Sequence, residues 1–116
     1  EMVPAIAKAY GGNATIEVRN NTSITYNDIA LTSQMLPTLQ KVAGTENVKL
    51  MKPTTGGEDF SFFQEEIPGL YFFLGGQPAG SKEAAPHHTP DFFIDESGML
   101  LGVKVMSQLA LDYLNN

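Results

Sequence analysis

An α/β fold is predicted for this chain, and three observations predict it. Apolar residues recur at helical spacing in residues 3–10, 28–44, 58–67 and 96–114. Between these stretches lie segments with two-residue alternation or a short continuous apolar run, the patterns of half-buried and fully buried strands. Gly or Pro stands at most of the places where the period changes. The resulting order is helix, strand, helix, strand, helix, strand, long loop, helix. With 116 residues and 12.6 kDa there is material for one domain and its core rather than for two.

Taken in order, residues 3–10, "VPAIAKAY", place Ala and Ile at helical intervals and stop at Gly11-Gly12, which suits a left-handed cap. Residues 13–20, "NATIEVRN", alternate Ile16 and Val18 against Thr15, Glu17 and Arg19, as a half-buried strand does. A turn-prone "NNTS" and an extended "ITY" follow. Asn27-Asp28 offers a helix N-cap, and Leu31, Met35, Leu36, Leu39 and Val42 then trace one face up to Gly44. Pro37 must either lie in the first turn of that helix or kink it. Residues 47–51, "NVKLM", read as a short strand that runs into a Gly-rich loop. Beyond the loop, Phe60, Phe63 and Ile67 share a helical face that Pro68-Gly69 ends. The apolar run "LYFFL" at 70–74 has strand length, and residues 75–90 form a long loop that carries His87-His88. In the closing helix, Leu100, Val103, Met106, Leu109 or Ala110, and Tyr113 are expected to form the apolar face.

The composition narrows the function classes. Net charge is -6, and the seven Lys and Arg residues, Lys82 among them, form no cluster, which argues against phosphate-driven nucleic-acid binding. No apolar run has the length of a membrane span, so no membrane partner is expected. The absence of cysteine removes disulfides and thiolate metal ligands and leaves the compartment open. The chain opens at Glu1-Met2-Val3-Pro4, in what reads as the middle of an element, so a piece of a longer protein is expected.

Three stretches could carry chemistry. "TTGGEDFSFF" at 54–63 nearly matches the Gly-Gly-Asp/Glu-Glu-Phe signature of nucleotide cyclases. In that family the motif turns a hairpin between two strands; here the downstream flank is helical and the second acid is Asp59, so the cyclase reading fails. A strand leading into Thr55-Gly56-Gly57 and then a helix headed by Glu58-Asp59 fits two descriptions. Its free amides could favour an anionic group such as a carboxylate, or the glycines could simply make a tight turn while the acids suit the helix dipole. His87-His88 could supply one metal ligand or be a solvated pair, and no His-Glu-x-x-His cluster accompanies it. Glu65-Glu66, adjacent on a helix, do not share a face and read as a solvated helix end rather than an acid/base pair.

Taken jointly, "AYGGNATIEV", "TYND", "TGGEDFSFF", "PGLYFFLGG", "HHTPDFFIDE" and the closing helix resemble the C-terminal part of the co-catalytic dizinc amidohydrolases. The resemblance is nearest to hippurate hydrolases, N-acyl amino acid amidohydrolases and indole-acetyl amino acid hydrolases, within the aminoacylase/carboxypeptidase superfamily. The blocks agree in order and spacing over essentially the whole chain. The resemblance implies a fragment of a three-layer α/β zinc-peptidase catalytic domain. Residues 1–27 would be the last helix and strand of an inserted dimerisation or lid domain, and residues 28–116 the C-terminal part of the catalytic domain, with Tyr26-Asn27-Asp28 as the hinge.

The resemblance further implies that Thr55, Gly56, Gly57 and Glu58 line the substrate site, that Asn27 contacts substrate at the junction, and that His88 is a metal ligand. The parent would hold two zinc ions and hydrolyse N-acyl amino acids or small peptides. Its catalytic residues would lie outside this chain, leaving the chain inactive alone and prone to dimerise or self-associate. The competing expectation is an α/β interaction module that kept the fold without the metals.

Overall fold

The computed structural model describes residues 1–19, 21–81 and 83–115. Helix α1 (Met2–Ala9) ends as its sequence requires. Gly11 takes a φ of 78°, and the amides of Gly12 and Gly11 return to the carbonyls of Ala7 and Lys8 at 2.8 and 3.0 Å, which is a Schellman closure. Helix α2 (Ile29–Ala43) starts where Asp28 accepts the amide of Leu31 at 2.8 Å. It stops at Gly44, whose φ of 89° would strain any residue with a side chain. Pro37 lies in the interior of α2, the second of its two expected positions, where it removes the bond to the Ser33 carbonyl. Helix α3 (Phe60–Glu66) follows the Gly-rich loop, and helix α4 (Met99–Leu114) closes the chain.

The three expected strands do not form, and the predicted three-layer α/β arrangement is corrected accordingly: among the described residues the regular structure is helical throughout. Asn47, expected to open a strand, instead ends a 3-10 turn (Thr45–Asn47). The chain does leave that turn extended at Val48 (φ −87°, ψ 112°), yet no strand forms there, and Leu50 is wholly exposed. Residues 13–19 and 70–74 likewise form no strand, with Val18 at 84% and Phe73 at 58% exposure. Asn20, the last residue of the first expected strand, lies outside the described residues, as does Lys82 of the scattered cations. A strand exists only by bonding to another strand, and an alternating or apolar pattern cannot supply that partner.

The core is small and sits between α2 and α4. Met35 and Leu39 of α2 and Val105 of α4 are its buried apolar side chains. Burial of one such side chain contributes about 1.5–3 kcal/mol. Beside them Asp112 accepts from the Thr38 hydroxyl and the Gln108 amide, each at 2.6 Å, which holds its carboxyl below the usual range. Of the expected apolar face of α4 only Leu109 is half-buried. Leu100, Val103, Met106 and Tyr113 are between 56% and 64% exposed, so α4 carries a second apolar stripe on its outer side. Among the described residues no helix is long and apolar enough to cross a membrane.

Candidate functional site

The Gly-rich loop stands exposed from Thr54 to Gly57 and turns inward at Glu58. A Cβ at Gly57 would lie 3.2 Å from the Thr22 hydroxyl, so the loop runs close against the segment before Tyr26. Glu58 is half-buried. One carboxylate oxygen accepts the Tyr71 phenol at 2.9 Å and the other the Phe60 amide at 3.4 Å. Its main-chain carbonyl accepts from the hydroxyl of the fully buried Ser61 at 2.7 Å. The Tyr71 hydroxyl foremost, and then the Phe60 amide, hold the Glu58 carboxyl below the usual carboxylate range. The same bond, with burial and the charges of Glu58 and Asp59, raises the Tyr71 phenol above its ordinary value. Glu58 is therefore an anion at neutral pH, and the Phe60 amide at the head of α3 already has its partner.

Residues 26–28 are pinned to the same elements. Tyr26 exchanges both main-chain bonds with the Gln64 side chain, at 3.0 and 2.9 Å. Asn27 does the reverse: its side-chain amide accepts from the Tyr71 N–H and donates to the Tyr71 carbonyl, both at 2.7 Å. The Asp28 amide donates to the Gly69 carbonyl at 3.0 Å, and the Ser23 amide to the Ser61 hydroxyl at 3.0 Å. The Ser23 hydroxyl bonds Glu65. Gly69 is required here, because a Cβ would fall 2.6 Å from the Gln64 side chain that reaches past it. A shallow depression of about 300 Å³ opens beside this junction, lined by Tyr26, Asp28, Gln64, Glu65 and Glu66. Its carboxylates make it unsuited to an anionic ligand.

His87 and His88 lie exposed on the long loop, whose ends are drawn together by the Asp95 amide bonding the Gly76 carbonyl at 2.7 Å. The His87 ring lies 4.6 Å from that of Phe92 and 6.3 Å from that of His88. His88 has a φ of 65°, the one left-handed backbone at a non-glycine position among the described residues. Thr89 fixes the turn by donating its hydroxyl to the Pro86 carbonyl at 2.8 Å. Among the described residues no group of three or more His, Asp or Glu side chains could hold a metal ion, so the chain does not by itself build a metal centre.

The structure thus joins Asn27 to Glu58 through Tyr71, and it brings Thr22 to Gly57. No hydrogen bond or ring contact among the described residues joins His88 to the loop. Tyr71 and Gln64 are the participants that sequence reasoning missed. Each bonds a residue 38 to 44 positions away through one amide or main-chain group, a contact that leaves no periodic trace.

Residues 4–112 match the model of "Peptidase family M20/M25/M40". The chain belongs to this family of hydrolases. It is 29% identical to a putative amidohydrolase, YhaA, of Bacillus subtilis over 97% of this chain and 28% of that protein. It is 30% identical to thermostable carboxypeptidase 2 of Saccharolobus solfataricus, over 98% of this chain and 28% of that protein. It is 36% identical to IAA-amino acid hydrolase ILR1-like 4 of Arabidopsis thaliana, over 78% of this chain and 20% of that protein. The chain therefore spans between a fifth and a third of the length of these relatives. No solved structure gives a significant match.

Proposed function

We propose that this chain is the C-terminal portion of a zinc-dependent amidohydrolase that cleaves the amide bond of N-acyl amino acids or small peptides. The observation that carries it is the family match over residues 4–112, together with relatives named as an amidohydrolase, a carboxypeptidase and an IAA-amino acid hydrolase. In this reading residues 1–27 belong to an inserted lid or dimerisation domain and residues 28–116 to the catalytic domain. His88, held exposed on a turn with fixed geometry, is the chain's contribution to the metal, and its companion ligands belong to other parts of the protein. A divalent cation there would polarise the amide carbonyl.

The Gly-rich loop faces substrate through Thr55, Gly56 and Gly57. Glu58 is ionised and the Phe60 amide is already bonded, so we assign the loop to uncharged polar atoms of the substrate rather than to its carboxylate. Asn27 lies at the junction with its amide engaged by Tyr71. The chain alone carries one metal ligand and is expected to hydrolyse nothing.

The test uses the full protein that contains this chain, assayed for release of amino acid from N-acyl amino acids and dipeptides, with metal content measured in parallel. His88→Ala is expected to lose hydrolysis and bound metal together. A full protein that binds no divalent metal and cleaves none of these substrates would overturn the reading.

A further inference from the structure

We propose that Asn27 is a positioning residue for Glu58, acting through Tyr71, so that the junction segment and the Gly-rich loop shift as one unit. The chain of contacts has no gap. Asn27 binds both main-chain groups of Tyr71 at 2.7 Å, and the Tyr71 phenol binds the Glu58 carboxylate at 2.9 Å. The phenol ring is confined on two sides, by Phe60 at 5.6 Å and by Phe73, set edge-on at 5.4 Å. Fixing the Tyr71 main chain therefore fixes where its hydroxyl can reach.

Asparagine suits the position for a chemical reason. A primary amide presents one acceptor and one donor, as a neighbouring strand would, and so satisfies Tyr71 where no strand lies beside it. Serine is too short to reach both groups, and aspartate lacks the donor. The register on either side of Asn27 is set independently, by Gln64 on Tyr26 and by Gly69 on Asp28, so a displacement of the junction has to pull on Tyr71. Motion between residues before and after the hinge would then reach Glu58 directly. Its bearing on catalysis rests on the reading of the Gly-rich loop as substrate-facing.

The experiment labels the full protein with 3-fluorotyrosine and follows the Tyr71 resonance, identified by its loss in Tyr71→Phe, through a pH titration. The charges facing the phenol are those of Glu58 and Asp59. Glu58→Gln should return the Tyr71 titration toward that of a free phenol, and Asn27→Ala should move it in the same direction. The Tyr71 amide should exchange about tenfold faster in Asn27→Ala, as expected for one lost hydrogen bond. Asn27→Ser, smaller and neutral, gives the same readings if the alanine variant does not fold.

In hydrolysis, Asn27→Ala and Glu58→Gln should each raise KM, and the double variant should raise it no further than Glu58→Gln does alone. A Tyr71 phenol that titrates in both Asn27 variants as in wild type overturns the inference, whatever KM does. A lowered Tyr71 pKa in the Asn27 variants with KM unchanged in Glu58→Gln leaves the positioning link standing and overturns the substrate role of the loop.

Discussion

Tyr71 and Glu58 shift each other's titration in opposite directions, and the signs define a pH window. The Glu58 carboxyl is depressed from 4.5, so its contribution to stability is present above that value and is lost as pH falls through the lower, folded one. The Tyr71 phenol is raised from 10.0, so its contribution is fully present below that value and is lost as pH rises through the higher, folded one. Tyr71→Phe should therefore lower the Tm across the neutral range, with the gap to wild type closing at the acid limb as Glu58 protonates. A gap of constant size down through the acid limb would show that the phenol–carboxylate bond is not its source. His88 differs in kind: its left-handed backbone costs on the order of 1 kcal/mol.

Local chemistry decides where the helices of this chain begin and end. Asp28 bonds one of the amides that α2 leaves without a helical partner, so Asp28→Ala should destabilise the protein by about 1 kcal/mol in urea unfolding. An unchanged midpoint would mean that the first turn of α2 is held by packing instead. The cap at Asp28, the glycine stops at Gly11 and Gly44 and the approximate spans of all four helices were legible in the sequence, because each depends on residues a few positions apart. The strands were not, because "NATIEVRN", "NVKLM" and "LYFFL" record an ability to pair and say nothing of whether a partner is at hand. The apolar face of α4 was misread for a related reason. Leu100, Val103 and Met106 on one side and Leu101 and Val105 on the other both follow helical spacing, and the period does not say which side meets α2. Of the site, the loop and His88 stood out as residue types, whereas the pairing of Asn27 with Tyr71 required the fold.

At the scale of the molecule, surface and shape carry the argument. A compact monomer of this mass exposes about 6,200 Å² and has a radius of gyration of about 13 Å. This chain exposes 9951 Å², has a radius of gyration of 20.0 Å and extends over 63 × 37 × 20 Å. The excess of about 3,700 Å² is more than four times the 800 Å² or so that one partner buries in a standard protein interface. Much of it is apolar: Met2, Val3 and Ile6 of α1, the outer stripe of α4, and the side chains of Phe73 and Leu74. Exposed apolar patches of this kind mark interaction sites or aggregation liabilities. In a parent several times longer, other residues of the same protein would cover them; in the 116-residue chain alone, copies of the chain are what remains. The isolated chain is therefore expected to self-associate, with the segment around residues 20–28 as the place where α1 could be exchanged between copies. Light scattering on the purified chain should give a mass above 12.6 kDa that falls on dilution. A monodisperse species at 12.6 kDa would mean that the exposed stripes of α1 and α4 find cover within one copy, and the exchange would then have no driving force.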